Sequence, residues 1–100
     1  MSVLADAHLG RVRRLPCVAC FVIRGIKDTP CQEVHHIESA RHEFSDFLVL
    51  PLCWQCHHGF DGIHGRHRLG FEKLHGVTQI QLLGVVTSML LADRASLVGG

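Results

Sequence analysis

Apolar residues recur with a helical period near the C-terminal end of the chain. Five of them follow spacings of one, three and four residues: Leu82, Leu83, Val86, Met89 and Leu90. Thr78, followed three residues later by Gln81, forms a capping box that predicts the start of a helix. The apolar stretch that contains these residues, 80–92, is shorter than the ~18 to 20 apolar residues needed to cross a bilayer. We therefore expect no membrane span and a helix within 77–100 that packs on the domain core, with a dimerisation helix as the alternative.

Two shorter segments are predicted to be β-strands. The first covers residues 32–37, and the second covers 47–50, where β-favouring residues are frequent. We expect Pro51 to end the second strand, because proline has no N–H to donate to a ladder. A loop over 40–45 joins the two strands.

The rest of the chain predicts short helices separated by turns. An N-terminal helix or basic arm reaches about Arg14, and a C-x-x-C turn follows it. A helix after Cys53 is kept short by three glycines within 59–65, and residues 71–75 form one or two helical turns that Gly76 ends. The prediction is an α+β fold in one small domain. Its parts are an arm or helix over 1–14, a central unit over 15–76 and a helix over 77–100 that packs on that unit.

Composition narrows the class of protein. Of 100 residues, 47% are hydrophobic and 19% are charged, which excludes a disordered tail or a low-complexity linker. The formal charge is +1, so overall electrostatics indicate no partner. Asp6 and the lack of a long apolar run near it argue against a signal peptide, and we expect a cytoplasmic protein. The unusual feature is the presence of nine histidines and five cysteines, which points to metal binding.

Two C-x-x-C turns carry four of the cysteines. Cys17 and Cys20 form the first turn, and Cys53 and Cys56 form the second, with 32 residues between the two turns. The spacing lets a tight turn direct both sulfurs to one point, and two such turns give the tetrahedral sulfur set that Zn²⁺ prefers. The sequence therefore predicts one structural zinc ion. Cys31 is left over, and we expect it to be a half-buried residue beside the first strand, with replacement of a zinc ligand as the alternative.

Paired histidines accompany the cysteine turns. His35 and His36 lie at the end of the first predicted strand, and His57 and His58 directly follow the second turn. This order of turns, strands and histidines resembles the HNH, or ββα-metal, endonucleases over residues 15–76. Within that superfamily the segments VHHI, VLPLC and FEKLHG look most like phage-encoded recombination enhancement (Ref-like) nucleases. The resemblance implies a small zinc-stabilised ββα-metal domain with flanking helices.

The resemblance also implies a role for each histidine in phosphodiester hydrolysis. This reaction needs a base for the attacking water and a cation for the developing charge. Neighbouring residues of a strand point to opposite sides, so His35 can face a metal while His36 faces the water. By resemblance His36 is the general base, and His35 and His57 are ligands of a catalytic Mg²⁺ or Mn²⁺, with Zn²⁺ as an alternative. The third ligand is His64 by the Ref-like spacing, or Asp61 by the simplest spacing of the superfamily.

The chain departs from the HNH signature at one position. It contains no asparagine, so the middle residue of the signature is absent. Asp46 occupies the comparable loop before the second strand, where it either orients His36, holds the metal through water, or has no role. His58 and His67 lie beside the proposed site and are candidates for phosphate contact. Three further histidines are expected to be ordinary surface residues: His8, His42 and His75.

These features favour a metal-dependent endonuclease that cuts DNA with little sequence preference, in phage recombination or DNA processing within a bacterial or phage-infected cell. Basic residues that can contact phosphate lie in the N-terminal arm and after His64: Arg11, Arg13, Arg14, Arg66 and Arg68. The Ref-like resemblance implies a recombinase filament that presents DNA to this nearly neutral chain. The alternatives are a catalytically weak zinc-binding adaptor for DNA or a protein partner, and a dithiol redox protein. The sequence leaves the oligomeric state open.

Overall fold

The computed structural model describes residues 3–37 and 44–99, with side chains described as far as Asp93. The predicted loop over 40–45 lies mostly outside these residues, and so does His42. Helices, strands and short helical turns alternate along the described part, in this order: α1 (Val3–Arg13), a π-helical turn (Cys20–Arg24), β1 (Glu33–His36), a 3-10 turn (Ser45–Phe47), β2 (Val49–Leu52), α2 (Trp54–His58), α3 (Ile63–His75) and α4 (Gln79–Gly99).

The strands β1 and β2 pair antiparallel as a two-stranded sheet with helices around it. The predicted α+β class is therefore confirmed at this level of description. All four residues of β2 are buried, and alternate residues of the strand face different parts of the core. Leu50 and Leu52 join the main core, whereas Val49 packs in a smaller cluster with Leu9 and Val12 of α1.

The prediction that Pro51 ends the second strand is wrong, because β2 continues through Pro51 to Leu52. Pro51 lies opposite Val34 in the register of the sheet. The Ile37 amide donates to the Leu48 carbonyl, and paired residues alternate between bonded and non-bonded positions along an antiparallel ladder. Val34 lies three positions before Ile37 on the same strand, so the Val34–Pro51 pair is a non-bonded one. The backbone nitrogen of Pro51, which carries no hydrogen, therefore faces the free edge of the sheet, where no ladder bond is lost.

The helix after the second cysteine turn is short, as predicted, but the following helix is longer than predicted. The described α3 begins at Ile63 rather than near residue 71, and Gly76 ends it in the left-handed conformation that the sequence indicated. A kink at His67, whose φ is 62°, divides α3 into two parts. This one distorted residue lets helical structure span a segment whose glycines disfavour a long regular helix.

The predicted capping box starts α4. The Thr78 hydroxyl accepts a hydrogen bond from the Gln81 amide at 3.1 Å, and the Gln81 side chain accepts one from the Thr78 amide at 2.9 Å. Leu82 and Val86, on one face of α4, are buried in the main core. The helix therefore packs on the main core through this face.

Among the described residues, no single helix has the length and apolar character to cross a membrane. Helix α3 and the stretch Gln79–Asp93 of α4 satisfy the length and composition criteria only as a pair, and that pair is bent by 82°.

Candidate metal centres

The four cysteines of the two C-x-x-C turns converge in the main core. The Sγ atom of Cys20 lies 3.7 Å from those of both Cys53 and Cys56, and all four sulfurs lie within 4.8 Å of one another. A tetrahedral zinc site with Zn–S bonds of about 2.3 Å places its sulfurs about 3.8 Å apart. The donor set and its spacing therefore fit a structural zinc ion, which these four side chains would hold.

Local backbone structure directs the sulfurs of the first turn. The Cys20 amide donates a hydrogen bond to the Cys17 sulfur at 3.4 Å, and the Cys17 amide donates to the Thr29 carbonyl at 2.7 Å. The thiol of Cys56 hydrogen-bonds to Cys17, which lowers the pKa of Cys17 to about 5 and raises the pKa of Cys56. The thiolate is the form of cysteine that binds a metal ion, and the lowered pKa of Cys17 favours that form.

Three histidines from three elements form a second cluster. His35 of β1, His57 of α2 and His64 of α3 each place a ring nitrogen within 4.8 Å of the other two. Nδ1 of His35 lies 3.2 Å from Nε2 of His57. Neighbouring nitrogens on one metal ion are about 2.9 to 3.4 Å apart when the metal–nitrogen bonds are about 2.0 to 2.1 Å long. The cluster therefore fits a divalent cation, which these three imidazoles would hold.

Burial favours the neutral form of two of these rings. His35 is only 8% exposed, and burial lowers its pKa to about 4. Burial also lowers the pKa of His64, and the nearby His57 lowers it further. Neutral imidazole is the form that binds a metal, so no proton has to be displaced from His35 near neutral pH.

Close backbone contact in the α2–α3 turn brings His64 beside His57. A Cβ atom at Gly65 would overlap the carbonyl oxygen of Gly59, and one at Gly59 would overlap the carbonyl oxygen of Gln55. These two glycines therefore allow α3 to fold back against the end of α2. The ring centroids of His57 and His64 come to lie 4.7 Å apart.

Hydrogen bonds around the cluster fix the two closest rings. Oε1 of Glu33 accepts from Nδ1 of His57 at 2.9 Å and lies 3.0 Å from Nε2 of His58. The hydrogen bond from His57 lowers the pKa of Glu33. On the other side, Oε1 of Gln79 lies 2.8 Å from Nε2 of His35. Metal-binding histidines commonly donate their second ring nitrogen to an oxygen in this way.

The ring of His36 contacts a different partner from those of His35. Its Nε2 lies 2.8 Å from Oδ1 of Asp46, and its side chain is 29% exposed. Asp46 is thus a direct hydrogen-bond partner of the His36 ring. Because the carboxylate accepts the Nε2–H, Nδ1 of His36 keeps a lone pair with which it can accept a proton.

The two candidates for the third ligand are separated in space. His64 joins His35 and His57, whereas Asp61 accepts a two-pronged hydrogen bond from the Arg66 guanidinium at 2.8 and 3.0 Å. The fifth cysteine, Cys31, lies outside the sulfur cluster and contacts the Glu33 carbonyl at 3.3 Å.

The histidines line a cleft of about 660 Å³. His36 and the three clustered histidines share this cleft with His67 and Arg68, and the Arg68 guanidinium brings positive charge to its wall. A second cleft of about 370 Å³ shares residues of its wall with the first: Ile37, Arg68 and Gln79. The cavity therefore extends beyond the histidine cluster, towards the start of α4.

Sequence reasoning missed two residues that contact the histidine cluster. Glu33 precedes His35 by two positions on the same strand, so strand alternation places both on one face and could have indicated it. Gln79 comes from a helix that begins 44 residues after His35, and no local pattern marks it.

Comparison of the chain with known proteins finds no matching family model and no significantly similar curated protein.

Proposed function

We propose that this protein is a metal-dependent endonuclease of the HNH, or ββα-metal, type that hydrolyses phosphodiester bonds of DNA with little sequence preference. The observation that carries the proposal is the shared cleft, whose wall contains both the three clustered histidines and His36, the residue whose ring is hydrogen-bonded to Asp46. The order of β1, β2 and α2 and the nearby sulfur cluster also support the ββα-metal assignment.

The chain's own residues supply base catalysis. Asp46 accepts the Nε2–H of His36, holds the ring in place and leaves Nδ1 to take a proton from the attacking water. Asp46 would also stabilise the imidazolium that forms when His36 takes this proton. A divalent cation held by His35, His57 and His64 would supply charge stabilisation at the phosphate when bound.

Basic side chains in the cleft support a polyanionic substrate. Arg68 lies in the wall of both clefts, and His67 lies in the wall of the first. Such contacts give affinity for phosphate without reading sequence. The formal charge of +1 gives the chain little general attraction to DNA, and we propose that a recombinase filament presents the DNA to it.

The test is cleavage of supercoiled plasmid by the purified protein. With Mg²⁺ or Mn²⁺ the plasmid is expected to become nicked or linear, and without added divalent cation it should stay supercoiled. A second candidate function is a zinc-binding adaptor, which the near-neutral charge and the absent asparagine favour. The adaptor would bind one zinc ion, show no second metal site on titration and leave plasmid intact under all conditions.

The choice between the two third-ligand candidates gives a separate prediction. Removing an outer-shell partner of a metal ligand costs about 10- to 100-fold in metal affinity. His64→Ala removes a proposed ligand itself, so it is expected to weaken Mn²⁺ binding by at least that much. Asp61→Ala removes only an exposed ion pair with Arg66, of a kind worth about 0 to 1 kcal/mol, so Mn²⁺ affinity should stay near the parent value. Electron paramagnetic resonance of free Mn²⁺ measures both affinities. The reverse ranking would assign the ligand to Asp61.

A further inference from the structure

We propose that Gln79 is a positioning residue of the histidine cluster, which holds His35 in the tautomer that turns a lone pair towards His57. The proposal rests on the proposed function in one respect, namely that a divalent cation is what this lone pair binds.

The hydrogen-bond partners of the two rings determine their tautomers. The side-chain oxygen of Gln79 can only accept, so the Nε2 of His35, 2.8 Å away, carries the proton. Nδ1 of His35 is then unprotonated, and it is this atom that faces Nε2 of His57 at 3.2 Å. The carboxylate of Glu33 likewise accepts from Nδ1 of His57, which leaves Nε2 of His57 unprotonated. Two lone pairs therefore face one point, an arrangement suited to a shared cation.

Gln79 is itself held firmly. Gln79 is only 4% exposed, and its backbone amide donates a hydrogen bond to Oε2 of Glu72 at 2.7 Å. The Thr78–Gln81 capping box fixes the turn in which it lies. The side-chain oxygen thus has a defined position when it meets His35. In this arrangement α4, which lies outside the unit of strands and cysteine turns, completes the cluster.

The direct test is the tautomer of His35 in ¹⁵N-labelled protein free of Mg²⁺ and Mn²⁺. Long-range ¹H–¹⁵N correlation NMR is expected to show His35 with the proton on Nε2. Gln79→Met keeps the length of the side chain but removes the acceptor, so the Nδ1–H tautomer should become populated. Mn²⁺ affinity should then fall by about 10- to 100-fold, the usual cost of losing an outer-shell partner. Gln79→Glu restores an acceptor and should restore both the tautomer and most of the affinity.

A control comes from the same helix, two turns after Gln79. Thr87→Val removes an exposed hydroxyl that donates to the Leu83 carbonyl at 3.1 Å, so it should leave the tautomer of His35 unchanged. A parent protein with the proton on Nδ1 of His35, or a Gln79→Met variant with an unchanged tautomer, would overturn the proposal. The spectrum of the parent protein alone shows which ring nitrogen of His35 carries the proton, even where a variant folds poorly. Failure of the parent to cleave plasmid would count against the endonuclease, whereas the tautomer reports on Gln79 independently.

Discussion

Replacing Cys53 by serine is expected to unfold the domain. The four clustered sulfurs lie inside the main core, where Cys53 is only 6% exposed. Structural zinc in small domains supplies an apparent binding free energy of about 10 to 16 kcal/mol that is coupled to folding. The whole stability of a typical domain is about 5 to 15 kcal/mol. Loss of a zinc ion held by these sulfurs would therefore remove a free energy comparable to the whole stability of a domain of this size.

Circular dichroism and zinc content measure this effect together. Cys53→Ser should bind little zinc and should lack the helical signal of the parent protein, and a strong chelator should give the same result with the parent. Cys31→Ser is the matched control, because Cys31 lies outside the sulfur cluster and should leave both readouts unchanged. A Cys53→Ser protein that melts at the parent temperature would refute the structural role of the cluster.

His36→Ala is expected to lower the rate of DNA cleavage by about 10² to 10⁴-fold, the range that a general base contributes. The loss follows from removing the proposed general base, while the four clustered cysteines and the three clustered histidines keep their own contacts. Asp46→Asn should have a smaller effect on cleavage, because an amide oxygen can still accept the Nε2–H of His36 but carries no charge to stabilise the imidazolium.

Single-turnover cleavage of plasmid measures these rates, with zinc content and Mn²⁺ affinity recorded on the same preparations. His8→Ala serves as the histidine control, because His8 lies on α1 and contacts Phe47, 5.2 Å away between ring centroids. Its cleavage rate should match the parent. If His36→Ala cleaves at the parent rate, the base is another residue.

Local chemistry made much of the fold and of both clusters predictable. The C-x-x-C spacing determines where two sulfurs point within a single turn, and the capping box at Thr78 depends on residues three positions apart. The alternation of strand residues likewise separates His35 from His36, and the structure gives the two rings different partners.

Features that depend on contacts between distant parts of the chain could not be predicted from local sequence patterns. Pro51 is tolerated in β2 only because of its register against Val34, which a single strand does not reveal. The choice between His64 and Asp61 depends on how tightly Gly59 and Gly65 let the α2–α3 turn close. The contact of Gln79 with the cluster depends on the packing of α4 on the core.

The most direct test of the central claim is the rate of plasmid nicking as a function of Mn²⁺ concentration, measured beside Mn²⁺ occupancy on zinc-loaded protein. If the histidine cluster and His36 form one catalytic centre, the rate should rise in parallel with occupancy of a single site. His64→Ala should shift both curves to higher Mn²⁺ concentration, and His36→Ala should keep the occupancy curve but lose the nicking. Nicking that is independent of Mn²⁺, or that persists at the parent rate in His36→Ala, would contradict the account.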